Sequence, residues 1–171
     1  MLTNTVKASS VVLIGHLTEL AKSNQDETLF WNELSRALKE LVGHHLFTVL
    51  KLHGNGIDVE RVFSSNPDAY AVGGKKALLS SPWAELVLER HQNFIGHGKK
   101  DLEWAFADHE LINSLGMQSV LNVPLVQCGQ CYGSLNLLMG SEHIYTEEDA
   151  RQVKPFAELA VATLSRMASQ T

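Results

Sequence analysis

Leu115-Gly116-Met117-Gln118-Ser119-Val120-Leu121-Asn122-Val123-Pro124-Leu125-Val126-Gln127 leads, across Cys128-Gly129-Gln130, into Cys131-Tyr132-Gly133-Ser134-Leu135-Asn136-Leu137-Leu138-Met139, and this stretch decides the fold. Two runs rich in Val and Leu flank a tight turn around Gly129, so Met117–Gln127 and Cys131–Met139 read as antiparallel strands. Just before them, Asp108 caps a short helix through Leu111, Ile112 and Leu115 that Gly116 ends. Just after them, Thr146 with Asp149 three residues on resembles a capping box. It opens a long helix carrying Val153, Phe156, Leu159, Ala160, Leu164 and Met167. Pro155 lies inside that helix, where it should kink it or cost on the order of 3 kcal/mol.

Farther out, Val6 to Ala21 places Val6, Leu13, Ile14, Leu17, Leu20 and Ala21 at helical spacing. Asp26 caps a second helix through Leu29, Phe30, Leu34, Ala37, Leu38, Leu41 and Val42, which Gly43 stops. Leu46–His53, Gly54-Asn55-Gly56 and Asp58–Ser65 read as a β-hairpin, with Val59, Arg61 and Phe63 alternating against Glu60, Val62 and Ser64. A connecting region follows to Ser81, and Pro82 then opens a short helix with Trp83, Leu86 and Val87. Asn93–Gly96 reads as a short strand and Gly96-His97-Gly98-Lys99-Lys100 as loop. The order is helix, helix, hairpin, irregular helix-bearing insertion, hairpin, helix, which describes an α+β domain with an antiparallel sheet.

The chain has 171 residues, 14 Lys plus Arg against 19 Asp plus Glu, and a formal net charge of −5. That length fits one domain with a core large enough to need no metal or disulfide. No basic face suggests a nucleic-acid partner, and no apolar run approaches the roughly 20 residues that span a bilayer. The N-terminus lacks a signal-peptide core and there are 2 cysteines, so a cytoplasmic protein is expected.

The element order, together with Gly116-Met117-Gln118-Ser119, Val123-Pro124-Leu125, Gly133-Ser134-Leu135-Asn136-Leu137, Tyr145, Glu148-Asp149 and Phe156 to Ala160, resembles the GAF domain family over about Asp26 to Met167. The resemblance implies a PAS-related central antiparallel sheet of five to six strands. The N- and C-terminal helices would cover one face, and the irregular insertion would cover a small-molecule pocket on the other. It divides the chain into an N-terminal helix, 1–25, and a core, 26–168, of a single GAF-like domain. Only Ser169-Gln170-Thr171 follow the last helix, so no fused output domain is expected. A signal would leave through a homodimer contact of the terminal helices or through a separate signalling protein.

A two-residue turn at Cys128-Gly129 would put Ser119, Leu121, Val123 and Leu125 on one face with Tyr132, Ser134, Asn136 and Leu138. Polar groups on a buried face need partners, so this face is the expected pocket wall, with Ser119, Tyr132, Ser134 and Asn136 as candidate ligand contacts. From the insertion, Trp83, Phe94 and Trp104 could wall a flat ligand, and His97 could meet an anionic one. The alternatives are that the polar groups satisfy one another and that the aromatics, with Phe106, form the insertion's own core.

Cys128-Gly129-Gln130-Cys131 has Cys-x-x-Cys spacing, but at a hairpin tip with no second pair it reads first as an ordinary turn. One stand-alone GAF family reduces free methionine sulfoxide with cysteines in the segments over the pocket, and this chain has none before Gln127. The Asn-Lys…Phe…Asp-Glu pattern of cyclic-nucleotide-binding branches and the cover Cys of bilin-binding branches are not found either. The expected function is therefore a non-enzymatic, ligand-binding sensor module with an unidentified ligand and no assigned metal or cofactor. A thiol reductase using Cys128 and Cys131, or a purely structural dimerisation module, are the alternatives. The 8 histidines remain a compositional excess without a role.

Overall fold

A computed structural model describes residues 9–23, 26–54, 56, 58–78 and 80–169. The chain order is α1 (Ser10–Ser23), α2 (Glu27–Leu41), β1 (Leu46–Leu52), β2 (Asp58–Ser64), β3 (Lys75–Ala77), α3 (Pro82–Ala84), β4 (Phe94–His97), α4 (Gly98–Ala105), α5 (His109–Ser114), β5 (Ser119–Gln127), β6 (Gln130–Met139) and α6 (Glu147–Ser169). A π-helical turn, Glu85–Glu89, continues α3. The strands form one antiparallel sheet in the order β3-β2-β1-β6-β5-β4.

Local chemistry sets the helix ends. Asp26 accepts from the backbone N–H groups of Thr28 and Leu29, a cap worth about 0.5–2 kcal/mol. The expected capping box opens α6, since Thr146 N donates to Asp149 Oδ2 and Asp149 N to Thr146 Oγ1. The helix then runs unbroken past Pro155, whose missing donor falls on an exposed position. The Val6 and Lys7 portion of the expected first helix lies outside the described residues, as does Asn55 in the first hairpin's turn. Two elements depart from expectation. Residues 75–77 form the edge strand β3 instead of a connection, and residues 98–105 form α4, of which Gly98-Lys99-Lys100 is the first turn instead of loop.

The sheet separates two cores. On one side α1, α2 and α6 bury Leu17, Phe30, Trp31, Leu34, Phe156 and Leu164 against Phe47, Val49, Leu121, Val123, Leu135 and Leu137. On the other, the insertion packs Tyr70, Trp83, Val87, Phe94, Leu102 and Ile112 over Leu46, Val120, Cys131 and Leu138.

Strand faces differ from simple alternation because each hairpin holds a bulge. Gln127 pairs with Gln130 and Val126 with Cys131, as a two-residue turn requires, but Leu125 then pairs with Gly133 and Tyr132 is the extra residue. One extra residue exchanges the faces of everything beyond it. Ser119, Leu121, Val123 and Leu125 therefore share the helix side with Leu135 and Leu137, whereas Asn122 joins Ser134, Asn136 and Leu138 under the insertion. Gly133 makes this possible. Its φ is 152°, and a Cβ there would overlap the Leu50 carbonyl oxygen. A second register shift between Val49 and Leu50 leaves Val62 unpaired, which sends Phe63 to the helix side while Val59 and Arg61 stay beneath the insertion.

Candidate ligand-binding site

A cavity of about 140 Å³ lies between the sheet and the insertion. Its floor comes from Leu46, Thr48 and Leu50 of β1, Arg61 of β2, and Asn136 and Leu138 of β6. Its roof comes from Tyr70, Trp83, Phe106, Asp108 and Ile112.

The floor is held by one connected polar network. Trp83 Nε1 donates to Asn122 Oδ1 at 2.9 Å, Asn122 Nδ2 to Asn136 Oδ1 at 2.7 Å, and Ser134 Oγ to Asn136 Oδ1 at 3.0 Å. Asn136 Nδ2 in turn reaches Thr48 Oγ1 at 3.2 Å. Asn122, Ser134, Asn136 and Thr48 are all buried, so these bonds offset a desolvation cost of about 1–3 kcal/mol per orphaned group. The network also fixes the Trp83 ring over the sheet.

The roof is tied down at Tyr70. Its hydroxyl donates to Asp108 Oδ2 at 2.7 Å, and Arg61 Cζ lies 4.5 Å from its ring centroid. Arg61 Nη1 donates to Ala71 O at 3.0 Å. Burial, with the Asp108 carboxylate beside it, pushes the Tyr70 hydroxyl well above its ordinary range, so it stays a donor. Asp108 occupies the N-cap position of α5 but makes no side-chain cap bond; its carboxylate accepts from Tyr70 instead.

The residues expected from sequence divide accordingly. Asn136 and Trp83 line the cavity, and Ser134 supports Asn136 from beneath the same face. Ser119 and Tyr132 do not belong to the cavity face. The bulge turns both to the helix side, where Ser119 Oγ accepts from Tyr145 N at 2.9 Å and Tyr132 packs on the helix-side core. Phe94 is buried in the insertion's own core, stacked on Trp104 with ring centroids 5.2 Å apart. Trp104 is 45% exposed and bounds a shallow outer recess with Pro82, Leu86 and Arg90. His97 is exposed at the start of α4, its backbone N–H bonded to Asp101. Arg61, Tyr70, Thr48 and Asn122 were missed as site residues. Gly133, in the first half of β6, is the signal in the sequence that corrects the face, because a strand glycine often marks a bulge.

The Cys-x-x-Cys pair is divided between two environments. Cys128 is exposed at the turn with φ 51°, whereas Cys131 is buried with Sγ 3.4 Å from Gly133 O. Burial pushes the Cys131 thiol up, the direction that weakens a nucleophile. Among the described residues no group of three or more His, Cys, Asp and Glu could hold a metal. Four of the 8 histidines face carboxylates: His16 with Glu33, His45 with Glu142, His53 with Glu60 and His143 with Asp149. Among the described residues no helix is long and apolar enough to cross a membrane.

Among solved structures the chain is similar to GAF domains. The GAF domain of an Acinetobacter phosphoenolpyruvate-protein phosphotransferase matches at TM-score 0.71 and 13% identity, over 93% of this chain and 94% of that one. The GAF domain of a Bacillus halodurans two-component sensor histidine kinase matches at 0.66 and 17%, over 82% and 95%. The phycocyanobilin-bound GAF domain of a cyanobacterial phytochrome matches at 0.68 and 11%, over 96% of each chain. No family model and no curated protein sequence matches the chain. The protein has the GAF-domain fold.

Proposed function

We propose that this protein is a non-enzymatic sensor module that binds a small molecule in the cavity between its sheet and its insertion. The observation that carries this reading is the cavity itself: a preformed space with apolar walls, a few convergent polar groups and a roof tied together by the Tyr70–Asp108 bond and to the sheet by the Trp83–Asn122 bond. Its similarity to a bilin-bound phytochrome domain and to a sensor histidine kinase domain supports the same role. At about 140 Å³ the cavity is well below the roughly 300–1,000 Å³ of pockets for drug-sized ligands, which favours a small metabolite over a tetrapyrrole or nucleotide. Binding that differs between roof-closed and roof-open states would bias the insertion, and with it the outer surface.

The output is assigned to a homodimer through the terminal helices, with a separate signalling protein as a possible receiver. Val11 and Val12 at the start of α1 are 76% and 63% exposed, and Leu29 at the start of α2 is also exposed, apolar side chains on the terminal helices that a second copy could cover. The thiol-reductase reading has less support, because Cys131 is buried and neither cysteine lines the cavity. Native mass spectrometry of the purified protein tests the binding claim, with a thermal-shift screen of metabolites as its complement. A retained or stabilising small molecule whose effect is lost in Trp83→Ala supports it, and an effect unchanged by that substitution contradicts it. Light scattering at micromolar concentration tests the dimer.

A further inference from the structure

Two opposite charges face this small cavity without neutralising each other. Arg61 lines it, with Nη1 bonded to the Ala71 carbonyl, yet its Nε is buried and has no hydrogen-bond partner. Among the described residues no carboxylate lies within ion-pair distance of Arg61. Asp108 lines the cavity from the roof. Asp108 is exposed as a whole; among the described residues only its Oδ2 is bonded, to the Tyr70 hydroxyl, and no backbone N–H of α5 uses it as a cap. The walls otherwise include Leu46, Leu50, Ile112 and Leu138.

A guanidinium that lines a cavity with no carboxylate beside it gains by meeting an anion there, and a carboxylate with a free oxygen gains by meeting a cation or N–H donor, through charge-assisted hydrogen bonds. A ligand with one charge would satisfy one of these groups and further desolvate the other. We propose that the cavity takes a small zwitterion with an apolar side chain, of the α-amino-acid class, with its carboxylate on Arg61, its ammonium on Asp108 and its side chain against Leu46, Ile112 and Leu138. This rests on the small-molecule reading above and narrows it to a ligand class. The cavity of about 140 Å³ suits a body of that size.

The test titrates the protein by calorimetry with L-leucine, with 4-methylpentanoate, which lacks the ammonium, and with 3-methylbutylamine, which lacks the carboxylate. Leucine is expected to bind, and each analogue to bind at least about tenfold more weakly. Arg61→Gln and Asp108→Asn should each weaken leucine about ten- to hundredfold, and Arg61→Gln should erase the preference for leucine over the amine. An analogue that binds as tightly as leucine overturns the zwitterion while leaving small-molecule binding intact. If none of the three binds, the zwitterion is overturned, and a metabolite retained in native mass spectrometry then shows whether the broader reading survives. The analogue comparison uses the unaltered protein, so it holds even if a variant folds poorly.

Discussion

The two faces of the sheet are built from the same strands, yet they are different materials. Leu137 and Leu138 are neighbours in β6; Leu137 points into a sealed core under α1, α2 and α6, and Leu138 lines the cavity under the insertion. The helix side is nearly all aliphatic and aromatic, and its buried polar groups are few and separate: Ser119 Oγ accepts from Tyr145 N, His44 Nε2 bonds Ser35 O, and Thr163 Oγ1 has no hydrogen-bond partner among the described residues. The insertion side carries Thr48, Asn122, Ser134, Asn136, Arg61 and Asp108 around a space that protein atoms do not fill. Long, strongly periodic helices can close a face completely. A segment made of two short strands, a π-helical turn and three short helices leaves a gap that needs polar partners, and that gap is where specificity can be placed.

The largest break of this comparison acts on the residue that sorts the faces. Gly133→Val would drive a side chain into the Leu50 carbonyl at a φ that L-residues rarely adopt. The expected loss is about 4 kcal/mol or more, or no folding, measured by urea denaturation. Next, Leu137→Ala should cost about 3–5 kcal/mol, toward the top of the range for buried leucines, because the sealed core cannot collapse around the void. Leu138→Ala should cost roughly 2 kcal/mol, since its side chain already borders empty space. Equal losses would mean that the two faces are packed alike.

Asn136→Ala sharpens the comparison on the polar side. It strands Asn122 Nδ2 and Ser134 Oγ and should cost about 1–3 kcal/mol, with altered Trp83 fluorescence as the Asn122 link loosens. The smallest effect comes from pH on the helix side. Burial holds the His44 pKa below its ordinary value, with Nε2–H donated to Ser35 O and Nδ1 left without a partner. The unfolded chain therefore takes up a proton that the folded one refuses, so stability is full above the ordinary histidine pKa and declines as pH falls below it toward the folded value. His44→Gln should remove this contribution, which denaturation midpoints at pH 7 and pH 5.5 would show.

The helices and the two hairpins were legible because each rests on local chemistry: Asp26 as cap, Gly43 as stop, the Thr146–Asp149 box and the Val- and Leu-rich strand runs. The face of β5 was not, because a period of two carries no warning of one extra residue. Tyr132 and Val62 are ordinary strand residues, and only the strained geometry at Gly133 marks the first bulge. Within the site, Asn136 and Trp83 could be named from a polar face and an aromatic insertion. Tyr70 could not. It sits in an irregular stretch, and its partners Arg61 and Asp108 meet it only through tertiary folding. Asp108 looked like a cap from its position, and its actual use depends on a hydroxyl far away in sequence.

The central claim is that ligand enters on the insertion side and that the helix side stays closed. The three tryptophans report on it in one spectrum, since Trp31 is buried under the helices, Trp83 roofs the cavity and Trp104 faces outward. In a ¹H–¹⁵N correlation spectrum of the indole N–H groups, adding a metabolite found by mass spectrometry or thermal shift should move the Trp83 resonance and leave that of Trp31 unchanged. Movement of Trp31 or Trp104 with Trp83 static would contradict the account.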